Sequence, residues 1–282
     1  MSAALIRPER GVDTLRVTRW GGHRLAALRG GPAERGLSIG ESWEFSTLPG
    51  RVSRARGRPL DALLGAPLPF LAKLIDTALP LSVQLHPDDT PSGPPGKEEA
   101  WIVLDAEPDA RVWAGLRAGV AGERLAAQVL AGNDPRDLLE AHPVAAGTVI
   151  LIPARTVHAI GPGILLAEIQ QPSECTLRLY DYGSGRELHI DTGLATIDPG
   201  ARPRVWRPGD LANAIEGRHV RLRILGPGEH DLDAAPPRLL VVARGEARPD
   251  DAHLRAGELG LLVDAARVSL AVGGLAVVGE VH

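Results

Sequence analysis

Residues 142–171, HPVAAGTVILIPARTVHAIGPGILLAEIQQ, decide the reading of the fold. The apolar run VILI stops at Pro153 and a second run, GILLAEIQ, follows, so the stretch reads as strand, turn, strand. His158 falls just after the turn. In LLAEIQQ, Glu168 and Gln170 share a face, because alternate side chains of a strand leave on the same side. TLRLYDYG, from Thr176, adds another strand, with Arg178 and Tyr180 on a common face.

Upstream, PFLAKLIDTALPLSVQL (69–85) is apolar with a central proline, and its end alternates. Leu81, Val83 and Leu85 fall on one face and Ser82, Gln84 and His86 on the other, which predicts a half-buried strand. A loop, HPDDTPSGPPGKEE, leads to strands AWIVLDA and RVWAGL, with Glu99 where the first of these begins. Residues 122–141 carry Leu and Ala at helical spacing, broken at Gly132-Asn133, and predict two short helices, the second capped by Asp134 before Pro135. The first 70 residues mix turn-rich pieces such as RGGPAERG with short apolar ones and read as β-rich. Gly193 to Pro208 reads as a linker. Beyond it, RLLVVARGEARP, AGELGLLVD, ARVSLAVGG and LAVVGEV give short strands in a smaller β region over about 219–282.

The 282 residues are 44% hydrophobic and 23% charged, ordinary for a globular chain, and no apolar run approaches the roughly 18 residues that span a bilayer. The opening, MSAALIRPERGVD, has no apolar stretch of signal-peptide length, so a cytoplasmic location is expected. A net charge of −4 and 3% aromatic residues argue against a nucleic-acid partner. Cys175 is the single cysteine, which excludes an internal disulfide and any cysteine-rich metal site. Of 31 basic residues only Lys73 and Lys97 are lysines. The 33 glycines and 24 prolines suit many short strands joined by tight turns.

Gln84 and His86 can converge on one ion, and a barrel can bring Glu99 and His158 to the same point. Two imidazoles, a carboxylate and an amide oxygen, with room left for water or substrate, describe a catalytic divalent site more than a sealed structural one. Taken one at a time the same residues are ordinary: a hydrogen-bonded strand histidine, a solvated loop charge, a polar rim amide.

QLHPDD (84–89), GKEEAW (96–101), IPARTVHAIG (152–161), LLAEIQQPSECTLRLYDYG (165–183) and RELHID (186–191), in this order and spacing, resemble type I mannose-6-phosphate isomerase. WGGHRLA (20–26) and IGESWEFS (39–46) resemble its opening motifs, so the likeness covers roughly residues 20–198. It implies an all-β chain of two cupin (jelly-roll β-barrel) domains with a few short helices, a catalytic domain over 1–200 and a smaller, degenerate one over 201–282. It also implies one Zn²⁺ per chain on Gln84, His86, Glu99 and His158, and a sugar-phosphate substrate facing Lys97 and Arg178. For isomerisation through an enediolate, Lys97 is the first candidate for the proton carrier and Glu168 the second, with Arg178 steadying the anion. Arg178, Lys97 and Lys73 are the cations nearest to hand for the phosphate. Without the resemblance, Arg178 reads as an ordinary ion pair with Asp181 or Glu174, and Lys97 as a loop lysine in water.

Two departures from the family pattern stand out, Glu174 in place of aspartate and Arg155 where glycine is common. With the short second half, they motivate an alternative, a non-catalytic sugar-phosphate-binding cupin. A second alternative is an iron-dependent cupin oxygenase, since two histidines and a carboxylate also suit Fe(II). No membrane partner is expected, and the oligomeric state is left open.

Overall fold

Runs such as AWIVL and VILI, apolar at every position, require a sheet covered on both faces. The computed structural model, which describes residues 5–9, 14–29, 34–91, 95–234 and 237–282, has such a sheet at its centre. Parts of three stretches read above fall outside the described residues: 1–4 and 10–13 of the opening, 30–33 of RGGPAERG, and 92–94 of the loop after His86.

The central sheet has seven strands, in the order Arg204–Trp206, Val149–Ile152, Glu99–Ala106, Ile164–Gln170, Leu71–Thr77, Leu15–Gly22 and Ile39–Phe45. Its neighbours pair antiparallel. On one side Trp101, Val103, Ile150, Ile152, Ile164 and Leu166 form a core beneath a five-stranded sheet. That sheet runs Leu139–Pro143, Arg111–Leu116, His158–Ile160, Val83–Leu85, Leu177–Tyr180. Together the two sheets make the first jelly roll. On the other side Ala100, Ile102, Val149, Leu151, Ala167 and Ile169 pack with Leu222, Leu239, Val241 and Val277 of the C-terminal region.

The C-terminal region repeats the plan. A six-stranded sheet, built around Arg238–Arg244 and Leu275–Val281, faces a four-stranded sheet that includes Ala266–Leu270, over a core of Leu240, Val242, Val268 and Val278. Among the described residues there are four α-helices, none longer than nine residues. The expected all-β fold of two cupin jelly rolls with a few short helices is what the chain adopts.

Five local expectations are corrected. Residues 122–141 hold one helix, Gly122–Leu130, not two; the second is a single 3₁₀ turn, Arg136–Leu138, and then the strand Leu139–Pro143. The N-cap of that turn is Pro135, not Asp134 as expected; Asp134, one residue earlier, accepts from Arg136 N at 3.1 Å. Pairing with Arg111–Leu116 satisfies a whole strand's backbone groups, which two turns of helix could not match. The 193–208 linker contains the end of helix Ile190–Thr196 and a strand, Arg204–Trp206, that pairs with Val149–Leu151. The 81–86 strand is buried on both faces: Val83 and Leu85 lie under the helices outside the five-stranded sheet, and Ser82 and His86 are enclosed in the barrel. Leu81, ahead of the paired residues, belongs to the inner core beside Trp20.

The two halves exchange short strands. Leu5–Ile6 pairs with Leu261 and Leu262 of the C-terminal sheet, while Arg204–Trp206 joins the central sheet. We propose the division at 200/201 on the basis of the two sheet pairs, with these strands crossing it. Because Leu151 is fully buried between the halves, Leu151→Ala should cost about 2–5 kcal/mol in a denaturant titration.

Candidate metal centre

Strand pairing places the functional side chains before any of them touches another. Gln84 has His158 as its cross-strand partner on one side and Arg178 on the other, so the five-stranded sheet presents all three on its inner face. Across the barrel, Glu168 is flanked by Lys73 and Trp101, and Gln170 pairs with Glu99. His86 lies two residues beyond Gln84 and reaches the same space. Gln84, Lys97, Glu99, Glu168 and Arg178 line one cavity, joined by Glu41, Lys73, Ser82, Thr176 and Arg186.

His86 Nε2 lies 3.3 Å from Glu99 Oε2, and His158 Nε2 lies 3.4 Å from Glu99 Oε1. All three side chains are buried, and their ligating atoms fall within 4.8 Å of one another. Each imidazole is oriented from behind. His86 Nδ1 donates to the Cys175 carbonyl at 2.8 Å and His158 Nδ1 to the Thr156 carbonyl at 2.9 Å, which leaves both Nε2 lone pairs aimed at the centre. Lone pairs therefore face a carboxylate, an arrangement that requires a positive charge among them.

Lys97 supplies part of that charge, its Nζ standing 2.6 Å from Glu99 Oε2 and 3.1 Å from His86 Nε2. Glu99 Oε2 nonetheless receives no well-directed hydrogen bond. Gln84 Nε2 lies 3.4 Å from His158 Nε2, while Ser82 Oγ donates to Gln84 Oε1 at 2.8 Å. Turning the amide end for end brings its oxygen to the cluster, and the Ser82 hydroxyl can then accept instead. The donor set fits a divalent cation.

Electrostatics agree. Burial, helped by Lys97, lowers His86 to about 4 against an ordinary 6.5. Burial also lowers His158, against the pull of Glu99. For Glu99 burial acts upward, but Lys97, His86 and His158 outweigh it and hold the carboxyl well below its usual range. The cluster is thus two neutral imidazoles and one carboxylate, the protonation state in which all three ligate metal.

The cavity wall beyond the cluster is also ordered. Lys73 Nζ is 3.3 Å from Glu168 Oε1 and 4.9 Å from the centre of the Trp43 ring, and Trp101 Nε1 donates to Glu168 Oε2 at 3.3 Å. Burial works against the Lys73 ammonium, yet Glu41, Glu168 and Glu99 keep it above its ordinary range. Arg178 pairs with neither carboxylate suggested by the sequence: Asp181 is held by Arg186 at 2.5 Å and Glu174 by Arg51 at 3.1 Å. Its Nε is buried without a partner. Lys97 is buried, not a solvated loop residue. Sequence reasoning passed over Glu41, Thr176 and Arg186, and put Ser82 on the face of Gln84 and His86 without giving it a role. Glu41 could have been read from its place two residues before Trp43, on the same face of its strand.

No family model matches the chain. The mannose-6-phosphate isomerase of Streptococcus mutans is 35% identical to it over 268 residues, covering 81% of this chain and 82% of the relative. The chain belongs to the mannose-6-phosphate isomerase family. Among solved structures, the mannose 6-phosphate isomerase of Bacillus subtilis superimposes with a TM-score of 0.76 at 23% identity, over 98% of this chain and 99% of that one. Another mannose 6-phosphate isomerase, bound with zinc and yttrium, matches with a TM-score of 0.69 at 18% identity, over 99% of this chain and 100% of that one. Within this family fold the chain carries a candidate metal triad at His86, Glu99 and His158.

The two departures from the family pattern face elsewhere. Arg155 adopts φ 64°, the left-handed region where glycine is at ease, and donates from Nε to the Thr196 carbonyl. Glu174 is spent on its exposed pair with Arg51. Because the folded chain refuses a proton at His86 until about pH 4 and the unfolded chain takes it up near 6.5, metal-free protein should be fully stabilised above pH 6.5 and lose stability steadily toward pH 4. Urea titrations of chelator-treated protein across that range test this, and His86→Asn should flatten the dependence.

Proposed function

We propose that the chain interconverts mannose 6-phosphate and fructose 6-phosphate in the cavity between the two sheets of the first jelly roll, with one zinc ion on Gln84, His86, Glu99 and His158. The observation that carries this reading is the meeting of two imidazole nitrogens and a carboxylate, all proton acceptors, within 4.8 Å in a buried site. Zinc fits an all-nitrogen-and-oxygen set with two histidines, and a zinc-bound relative shares the fold. Bound there, the ion supplies a Lewis acid toward the sugar's oxygens.

The reaction moves one proton between neighbouring carbons. The C2–H bond of the open-chain aldose breaks, its electron pair forms the C1–C2 double bond, and the carbonyl oxygen takes the negative charge of an enediolate. Passage of the O2 hydroxyl proton to O1 and return of the carbon-bound proton to C1 then leave the carbonyl at C2 and a hydroxyl at C1. We assign the proton carrier to Lys97 first, since its Nζ stands at the edge of the ligand cluster, and to Glu168 second, since its Oε1 faces the cavity without a directed hydrogen bond. Arg178, whose guanidinium Nε has no protein partner, is suited to steady the enediolate oxygen or hold the phosphate. We propose the cytoplasm as the place of this reaction. Separately, among the described residues no helix is long and apolar enough to cross a membrane.

Elemental analysis together with an enzyme-linked assay from mannose 6-phosphate tests the proposal. His158→Ala should lose metal and activity together. Arg178→Ala should keep its metal and lose about 10²–10³-fold in turnover, as when one electrostatic donor is removed from a developing anion. Full metal content in His158→Ala would refute the ligand set, and loaded wild-type protein without activity would refute the reaction. The two carrier assignments separate by exchange of the C2 proton with deuterated solvent. Lys97→Met or Glu168→Gln, whichever removes the carrier, should slow exchange by about 10²–10⁴-fold.

A further inference from the structure

Glu98 stands between Lys97 and Glu99, and strand alternation turns its side chain away from theirs, out of the barrel and toward the C-terminal sheets. There the carboxylate accepts three backbone N–H groups from a single turn, those of Arg218 at 3.1 Å, His219 at 2.8 Å and Val220 at 2.7 Å. The turn is shaped around it, since a Cβ on Gly217 would lie 2.1 Å from Glu98 Oε1. Behind Glu98, its backbone N–H donates to Gln171 Oε1 at 2.8 Å and its carbonyl accepts from Gln171 N at 3.1 Å. The same turn reaches the other end of the loop that separates the ligands. Arg218 Nη1 donates to Asp88 Oδ2 at 2.8 Å, and His219 Nε2 lies 3.1 Å from Asp89 Oδ2. Asp88 and Asp89 follow His86 closely, and Glu98 immediately precedes Glu99. One turn of the C-terminal half thus grips both ends of the loop that carries His86, Lys97 and Glu99.

We propose that Glu98 is a positioning residue through which the C-terminal domain sets the placement of Glu99 and Lys97, and with it the metal affinity of the site. The proposal rests on the reading of His86, Glu99 and His158 as ligands. A carboxylate seated on three N–H groups in a fitted cradle has no other low-energy orientation, so the backbone at Glu98 is fixed and its two neighbours are aimed into the barrel. On this view the C-terminal jelly roll takes part in holding the metal while contributing no ligand.

Competition of Zn²⁺ against a chromophoric chelator, on the full chain, measures affinity directly. Glu98→Ala and Gly217→Ala should each weaken zinc binding by about 10–100-fold, the range expected when support behind a ligand is lost. Glu98→Gln, which keeps an acceptor oxygen in the cradle, should recover most of it. Leu240→Ala loosens the C-terminal core without touching the turn and should leave affinity at the wild-type value. Wild-type affinity in both Glu98→Ala and Gly217→Ala, or an equal loss in Leu240→Ala, would overturn the positioning role. Failure of the wild-type chain to bind zinc, or undiminished binding by Glu99→Ala, would instead overturn the ligand reading beneath it.

Discussion

Two imidazole nitrogens and a carboxylate, none able to donate to the others, meet in the interior of the first barrel, and the surrounding structure is arranged so that they stay there. His86 and His158 each spend their one N–H on a backbone carbonyl, of Cys175 and Thr156, so neither ring can turn to relieve the meeting of lone pairs. Left uncompensated, such a cluster would cost several kcal/mol of desolvation and repulsion. Lys97 offsets part of this through its contacts with His86 and Glu99. The residual demand for positive charge is the physical reason to read the cluster as a cation site.

A polar interior on this scale needs apolar walls. The central sheet supplies them by alternation: Trp101, Glu168 and Lys73 face the barrel interior, the last two lining the cavity, while Ile102, Ala167 and Leu74 face the C-terminal half. The same strands therefore carry both the chemistry and the interdomain core. Enclosure strengthens each charge contact inside the cavity, and it also accounts for the neutral state of the histidines, since burial is the largest cause of the lowering at both. Fold stability and ligand protonation thus share one cause. This also ties the second jelly roll to the first, because the face that it covers is the back of the wall that bears Glu99 and Glu168.

Much of the site was legible because strand periodicity is simple. Gln84 and His86 share a face at any twist of the sheet, as do Glu168 and Gln170, and motif spacing named Glu99 and His158. Glu41 and Arg186 were passed over because their motifs, IGESWEF and RELHID, show polar residues without showing which cavity they reach. The helical spacing over 122–141 misled in its second half, where edge pairing of Leu139–Pro143 with Arg111–Leu116 overrides local propensity. The supposed linker failed for a similar reason, since Val205 and Trp206 find a vacant sheet edge beside Val149 and Ile150.

By itself the sequence determined the all-β class, the absence of cysteine ligation, the family likeness and the identity of the residues that could hold a cation, because each depends on residue type and on spacing along one chain. Only the tertiary structure decided that the lone pairs of His86 and His158 point at Glu99, that Arg178 forms no salt bridge with Asp181 or Glu174, which pair with Arg186 and Arg51, and that Glu98 faces a turn some 120 residues away. Those are relations between strands distant in sequence. They are set by register and by the packing of one sheet on another, which no spacing along the chain encodes.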